Sequence, residues 1–260
     1  MQNSKISSQY VDELISIIMP AYKAAAVISE SIQSVVDQTY EKWELIITDD
    51  CSPDNTVEVV RNWCKRDERI KLIEAPANGG PAAARNLSLS QARGRWVAFL
   101  DSDDLWLPQK LEIQLKFHLQ QQAKISYTEF RRIHADGTGV GRLIKIPTKL
   151  TYRQLLGNTG IATSTVLVDR KLTGTFSMKK MFYDDFGCWL DILRSGGWAS
   201  GLREDLMRYR VMGGSVSRNK RRSAIEVWKT YRNIEDLGLL DSSIHFASYA
   251  IRALLKYRQF

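Results

Sequence analysis

Four short apolar runs punctuate the first hundred residues: LISIIM (14–19), WELIITD (43–49), IKLIEA (70–75) and WVAFLD (96–101). Each is rich in β-branched or aromatic residues and bounded by polar turn residues, the pattern of a strand buried on both faces. Between them the apolar spacing lengthens. VISESIQSVVDQ (27–38) sets Val27, Ile28, Ile32, Val35 and Val36 along one helical face, and NTVEVVRNWCKR (55–66) carries a similar stripe. PAAARNLSLSQA (81–92) opens on Pro81, a favoured first helical residue. Strands alternating with helices predict right-handed βαβ units and a mostly parallel sheet.

Past Leu107 the rhythm becomes mixed. PQKLEIQLKFHLQQQ (108–122) predicts an amphipathic helix, ISYTEFRRI (125–133) alternates like a strand, and ADGTGVGR (135–142) is a turn-rich loop. STVLVDR (164–170) and LMRYRV (206–211) predict strands, and DDFGCWLDILRSG (184–196) a helix with an acidic start and Gly196 at its stop. Two helical segments, 222–238 and 243–258, end the chain.

The composition, 44% hydrophobic and 25% charged over 260 residues, suits a globular protein with one large core. The N-terminus has no apolar signal-like stretch and no apolar run is long enough to cross a bilayer, so a cytoplasmic protein is expected. Cys51, Cys64 and Cys188 match no zinc or redox spacing and are expected as free thiols. The formal charge of +8 is concentrated late: from Arg203 onward there are 12 Lys and Arg against 6 Asp and Glu. That end interleaves Trp228, Tyr231, Tyr249, Leu254 and Tyr257 with Lys229, Arg232, Arg252, Lys256 and Arg258. Such helices suit an anionic membrane surface, or pack their aromatics on the rest of the chain; both readings stay open. No helix-turn-helix, zinc-finger or RNP-like signature accompanies the charge, so nucleic acid is not the expected partner.

In open α/β sheets, ligands bind beyond the carboxyl ends of the strands. There this chain places Pro20-Ala21-Tyr22, Asp49-Asp50 and Asp101-Ser102-Asp103-Asp104. Carboxylates so close repel one another unless solvent, a proton, a basic partner or a hard cation intervenes. A divalent ion held by one or two carboxylates keeps positions that phosphate oxygens can fill, so a strand-end DxD suits Mg²⁺ or Mn²⁺ with a diphosphate. An exposed acidic turn would also account for a DxD taken alone. The chain has no G-x-x-x-x-G-K-[ST] loop, and GTGVG (137–141) lacks both the spacing and the preceding strand of a dinucleotide site.

SIIMPAYKAAAVISESIQSVVDQTYEKWELIITDD, NGGPAAARN, DSDDLW and YDDFGCWL, in this order between about Ile15 and Arg218, resemble the GT-A glycosyltransferases of family 2, inverting enzymes that use nucleotide-diphospho-sugars. The resemblance implies an α/β, Rossmann-like GT-A fold with a mixed central sheet and C-terminal helices. It implies a glycosyltransferase domain over 1–220, its donor-binding half about 14–107 and its acceptor and catalytic half about 108–220, followed by a basic helical extension over 221–260. Pro20, Ala21 and Tyr22 would pack on the nucleotide base, and Asp50 would accept a hydrogen bond from it, which suits uracil. Gly79 and Gly80 would let the backbone approach, and Arg85 would lie near the nucleotide. Asp101, Ser102 and Asp103 match the DxD segment, with Asp101 directed to ribose and Asp103 to Mn²⁺ or Mg²⁺. Asp185 matches the catalytic base, Asp184 would orient it or touch the acceptor, and Trp189 would offer a face to an acceptor sugar. Asp104 is expected at a helix start, and His118, His134 and His245 as structural residues.

One departure concerns Met212, which stands before Gly213-Gly214-Ser215 where many relatives carry a histidine or other polar residue; this leaves a third metal ligand open. Ser215, Ser217 and Arg218 are expected either in a loop closing over the diphosphate or in a plain basic surface loop. The implied activity is transfer of a hexose from a UDP-sugar, UDP-glucose or UDP-galactose, to an undecaprenyl-diphosphate-linked saccharide. An α-linked donor would give a β-linkage, in assembly of bacterial capsule, teichuronic acid or O-antigen. Peripheral contact with an anionic membrane and homo-oligomerisation are left open. The competing readings are a non-catalytic nucleotide-sugar-binding module and a basic nucleic-acid-binding protein.

Overall fold

All seven residues of β2 (Trp43–Asp49) and six of the seven in β1 (Ile15–Ala21) are buried, as continuous apolar runs require when helices cover both faces of a sheet. The computed structural model describes residues 13–158, 160–212 and 220–257. β1 and β2 pair in parallel with each other and with β4 (Trp96–Phe99) and β3 (Ile70–Glu74), giving the order β3-β2-β1-β4. The crossovers are α1 (Ile28–Val36), α2 (Thr56–Cys64) and α3 (Pro81–Gln91).

The second half extends the same sheet with mixed polarity. It contains β5 (Leu105–Trp106), α4 (Lys110–Gln121), β6 (Ile125–Ile133), β7 (Leu143–Ile144), β8 (Lys149–Leu150) and α5 (Tyr152–Leu156). These are followed by β9 (Leu167–Asp169), α6 (Arg170–Thr173), α7 (Asp184–Arg194), β10 (Ala199–Arg210), α8 (Lys220–Lys229) and α9 (Leu239–Tyr257). Beyond β4 the order is β9-β6-β10-β5, with β9 antiparallel to both neighbours and β10 parallel to β6. The expected mixed sheet is therefore present. Three two-residue strands and α5 and α6 carry no periodicity and were not predicted. β10 begins seven residues before the expected 206, because ASGLRED has no strand pattern of its own and is held by its pairing with β6.

Alternate residues of the strands enter opposite cores. Ile18, Ile46, Val97 and Phe99 pack beneath α3, α5 and α7, while Ile15, Ile17, Leu45 and Ala98 pack beneath α1, α2 and α4. The C-terminal helices join the first core through Val227 and Tyr231, whose hydroxyl donates to the Leu156 carbonyl. Trp228 meets Phe246 edge-on at 5.5 Å, and Tyr249 packs against the same core. The described aromatics of this segment thus face inward. Besides Ser243 and Arg252, α9 leaves aliphatic side chains outside, among them Leu240 (77% exposed), Ile244 and Ile251. Among the described residues no helix is long and apolar enough to cross a membrane.

Candidate active site

The donor edge is built where β1 and β2 end. Ala21 is buried and half-buried Pro20 precedes it, while Tyr22 projects into solvent with the Lys23 ammonium 5.2 Å from its ring centre. The chain turns at Lys23 (φ 54°), whose amide donates to Ser52 Oγ, and at Cys51 (φ 58°). These are left-handed conformations uncommon for residues with a Cβ. Asp50 is buried, its two carboxylate oxygens accepting the amides of Gly79 and Gly80 at 2.8 Å each. Gly80 has φ 83°, and a Cβ on Gly79 would lie 2.7 Å from that of Ala83, so both glycines are needed to bring this turn onto Asp50. Asp50 therefore anchors the turn, keeping a second lone pair on each oxygen. Next to it Asp49 accepts from the Ser52 amide through Oδ2, while its Oδ1 is buried without a partner.

β4 delivers the DxD loop. The Asp101 amide donates to Ser164 Oγ, the Ser102 carbonyl accepts from Ser31 Oγ, and the Asp103 carbonyl accepts from Arg210 Nε at 2.8 Å. Asp104 was expected at a helix start, but the helix begins only at Lys110. Asp104 is instead buried in the loop, where Oδ1 accepts the Arg210 amide. Burial, reinforced by Asp103 and Asp101, pushes the Asp104 carboxyl well above the usual carboxylate range. Asp103 is pushed up to about 6, by burial and then by Asp101.

Arg85, buried on α3, joins this loop to the acidic pair of α7. Its Nη2 donates to Asp101 at 2.6 Å and its Nη1 to Asp184 at 2.7 Å. The Asp184 carboxyl is raised by burial and by its acidic neighbours, against the opposing pull of Arg85. Asp185 is half-buried; its Oδ2 accepts from Thr163 Oγ1 at 2.6 Å and its Oδ1 from the Phe186 amide. Trp189 is a correction. It is 1% exposed and packs edge-on against Phe99 at 5.3 Å, in a helix buried almost all round, so it presents no face to a sugar.

Thr163, Ser164 and Arg210 were not singled out from sequence, being isolated polar residues in unremarkable contexts. Ser215, Ser217 and Arg218 lie outside the described residues. Among the described residues no three His, Cys, Asp or Glu side chains converge as a metal cage. The donor set at the DxD loop nevertheless fits a hard divalent cation. Asp103 would supply a carboxylate oxygen, and a carboxyl pushed up to about 6 by burial and then by Asp101 is one that a cation would favour in ionised form.

The model of Glycosyl transferase family 2 matches residues 16–173. A Bacillus subtilis protein named putative teichuronic acid biosynthesis glycosyltransferase TuaG is 41% identical over 94% of this chain and 97% of its own. The Escherichia coli UDP-Glc:alpha-D-GlcNAc-diphosphoundecaprenol beta-1,3-glucosyltransferase WfgD is 40% identical over 84% of this chain and 85% of its own. Among solved structures, S. aureus TarS 1–349 in complex with UDP-GlcNAc superposes with a TM-score of 0.70 at 20% identity, covering 91% of this chain and 71% of that one. The mannosyltransferase PcManGT from Pyrobaculum calidifontis, in complex with GDP-Man and Mn²⁺, gives 0.69 at 19% identity, covering 91% and 68%. The GT-A architecture, the DxD loop and the α7 acidic pair thus belong to a glycosyltransferase, and the chain is a member of glycosyl transferase family 2.

Proposed function

We propose that this glycosyltransferase moves a hexose from a UDP-sugar, UDP-glucose or UDP-galactose, to a hydroxyl of an undecaprenyl-diphosphate-linked saccharide, with inversion to a β-linkage, in bacterial surface polysaccharide synthesis. The observation that carries this reading is the Arg85 bridge, which ties Asp101 of the donor loop to Asp184 beside the base candidate Asp185. The names of TuaG and WfgD, similar over most of the chain, support the pathway and the lipid-linked acceptor.

Tyr22 and Ala21 flank the base, Asp50 offers its remaining lone pairs to the base N–H, Asp101 is directed to the ribose, and Asp103 would hold Mn²⁺ or Mg²⁺ with the diphosphate. When bound, such a cation supplies neutralisation of the charge that develops on the departing diphosphate. Arg85 fixes Asp101 and Asp184 through its two ion pairs, and its charge favours the ionised form of Asp184. Asp185 takes the proton of the acceptor hydroxyl as that oxygen attacks the anomeric carbon from the face opposite the diphosphate; the C–O bond to the diphosphate breaks and the configuration inverts. No covalent enzyme intermediate is needed.

The residues after 220 serve acceptor access in this reading. Leu240, Ile244 and Ile251 project from one stripe of α9 opposite its packed face, Arg252 is exposed on the same helix, and α8 carries exposed Arg221, Arg222 and Lys229. An aliphatic stripe in a basic part of the chain suits an anionic bilayer at the cytoplasmic face, where lipid-linked acceptor is met. Residues 1–220 then form the transferase proper and 221–260 its membrane-facing part.

A panel of UDP-, GDP- and dTDP-sugars, with Mn²⁺ or EDTA and with an Asp103→Ala variant, tests the donor by nucleoside diphosphate release. Metal-dependent UDP release that the variant loses is expected. Release from a GDP- or dTDP-sugar alone refutes the donor assignment, and donor binding without transfer to any lipid-linked acceptor favours a binding module. Flotation with phosphatidylglycerol vesicles, lost in a Leu240→Ser/Ile244→Ser variant, tests the membrane contact.

A further inference from the structure

Between α5 and β9 the chain makes one tight 3-10 turn, Thr163–Thr165, and all three residues are buried. Two of them hold different parts of the site, and the third is tied to α4. Thr163 Oγ1 donates to Asp185 Oδ2 at 2.6 Å. Ser164 Oγ accepts the Asp101 amide at 3.0 Å, and its carbonyl accepts Trp106 Nε1 at 2.7 Å. The Thr165 carbonyl accepts from Gln114 Nε2 at 2.9 Å. One residue thus grips the base while its neighbour grips the first aspartate of the DxD loop.

We infer that Thr163 is a positioning residue for the base, and that the Thr163-Ser164 step sets the spacing between proton abstraction and the donor loop. This rests on the reading of Asp185 as the base. A threonine hydroxyl has one proton, and Thr163 gives it to Asp185. A donor to the ionised carboxylate favours that form, and with the Phe186 amide on Oδ1 it fixes the plane of the group. The other groups around Asp185 are Arg85 from α3, with Asp101 behind it, and Asp184 and Cys188 on α7 itself. Of these only Arg85 is cationic, and its hydrogen bonds run to Asp101 and Asp184. Among the described residues, Thr163 is therefore the side chain that donates directly to Asp185.

The test compares Thr163→Val, Thr163→Ser and wild type in transfer from UDP-glucose and UDP-galactose to a synthetic GlcNAc-diphosphate lipid, at saturating Mn²⁺ between pH 5 and 9. Valine keeps the shape and loses the donor. It should lower kcat about tenfold, leaving donor KM within about twofold. Serine should restore kcat. A valine variant with the wild-type kcat, a loss confined to donor KM, or a serine variant as impaired as valine overturns the inference. If the valine variant melts early, Thr163→Ala replaces it under the same criteria. Asp185→Asn separates the two levels: retained transfer in that variant removes the base assignment, and with wild type inactive on both donors reading and inference fall together.

Discussion

Replacing Arg85 with methionine removes one guanidinium that two carboxylates share, while keeping most of its volume. The bonds lost are those to Asp101 at 2.6 Å and Asp184 at 2.7 Å. Hydrogen bonds to charged groups contribute about 1.5–3 kcal/mol each, and stripping one partner from a buried pair costs about 3–5 kcal/mol. The Asp184 side chain is 10% exposed and cannot recruit much water, so its loss falls at the upper end; Asp101, at 31%, falls at the lower. Together these give about 4 kcal/mol, or roughly 8–16 °C in Tm for a chain of this size. The loss should depend on pH. Burial already raises the Asp184 carboxyl, and removing Arg85 raises it further. A carboxyl raised in the folded state opposes folding once ionised, so its penalty is absent in acid and grows as pH climbs through the folded value. Calorimetric melting of both proteins in EDTA at pH 5 and pH 8 should therefore show the larger gap at pH 8. A gap below about 3 °C, or one equal at both pH values, refutes the argument that Arg85 neutralises the acidic pair.

Three further outcomes are expected. Because Asp103 is pushed up to about 6, Mn²⁺ affinity measured by calorimetry with UDP present should fall about tenfold per unit below pH 6 and level off above pH 7, and affinity flat from pH 5 to 8 contradicts this. Arg210 donates to the Asp103 and Ala135 carbonyls and, at 2.5 Å, to Glu30, a fork that lysine cannot reproduce; Arg210→Lys should lose about 2–3 kcal/mol of stability and about tenfold in Mn²⁺ affinity, and a variant that keeps both argues that the loop holds itself. At the opposite end of the sheet, burial favours a proton on Glu44, but the Arg93 amide, Lys71, Ser16 and the Arg93 guanidinium hold its carboxyl down to about 2. Its contribution is present above its ordinary 4.5 and lost as pH falls toward about 2, so Glu44→Gln should cost about 2–3 kcal/mol in urea melts at pH 7 and much less at pH 3; equal losses would point to packing alone.

The strands β1 to β4 and the carboxylates at their ends were legible because continuous apolar runs and strand-end acids are local signals. Thr163, Ser164 and Arg210 were not, since their roles depend on partners 22, 63 and 106 residues away. Trp189 misled for a different reason. It lies one turn after Asp185, but α7 is buried nearly all round, so helical spacing could not say which side faces the cleft. The C-terminal aromatics were ambiguous from sequence because an inward and a membrane-facing helix share the same composition; their packing on the core resolves the described ones.

The reach of Arg210 bears on how the protein comes to be assembled. Its contacts span 106 residues to Asp104, 107 to Asp103 and 180 to Glu30, and the bond from Arg85 to Asp184 spans 99. Contacts of such sequence separation form late, because a long loop must close before any of them is made. A nascent chain that has emerged only through β5 carries its aspartates without the residues that set them. In the proposed reading, competence to bind a cation therefore waits for β10, and a chain interrupted before it holds an acidic loop without the Arg210 contacts that set it.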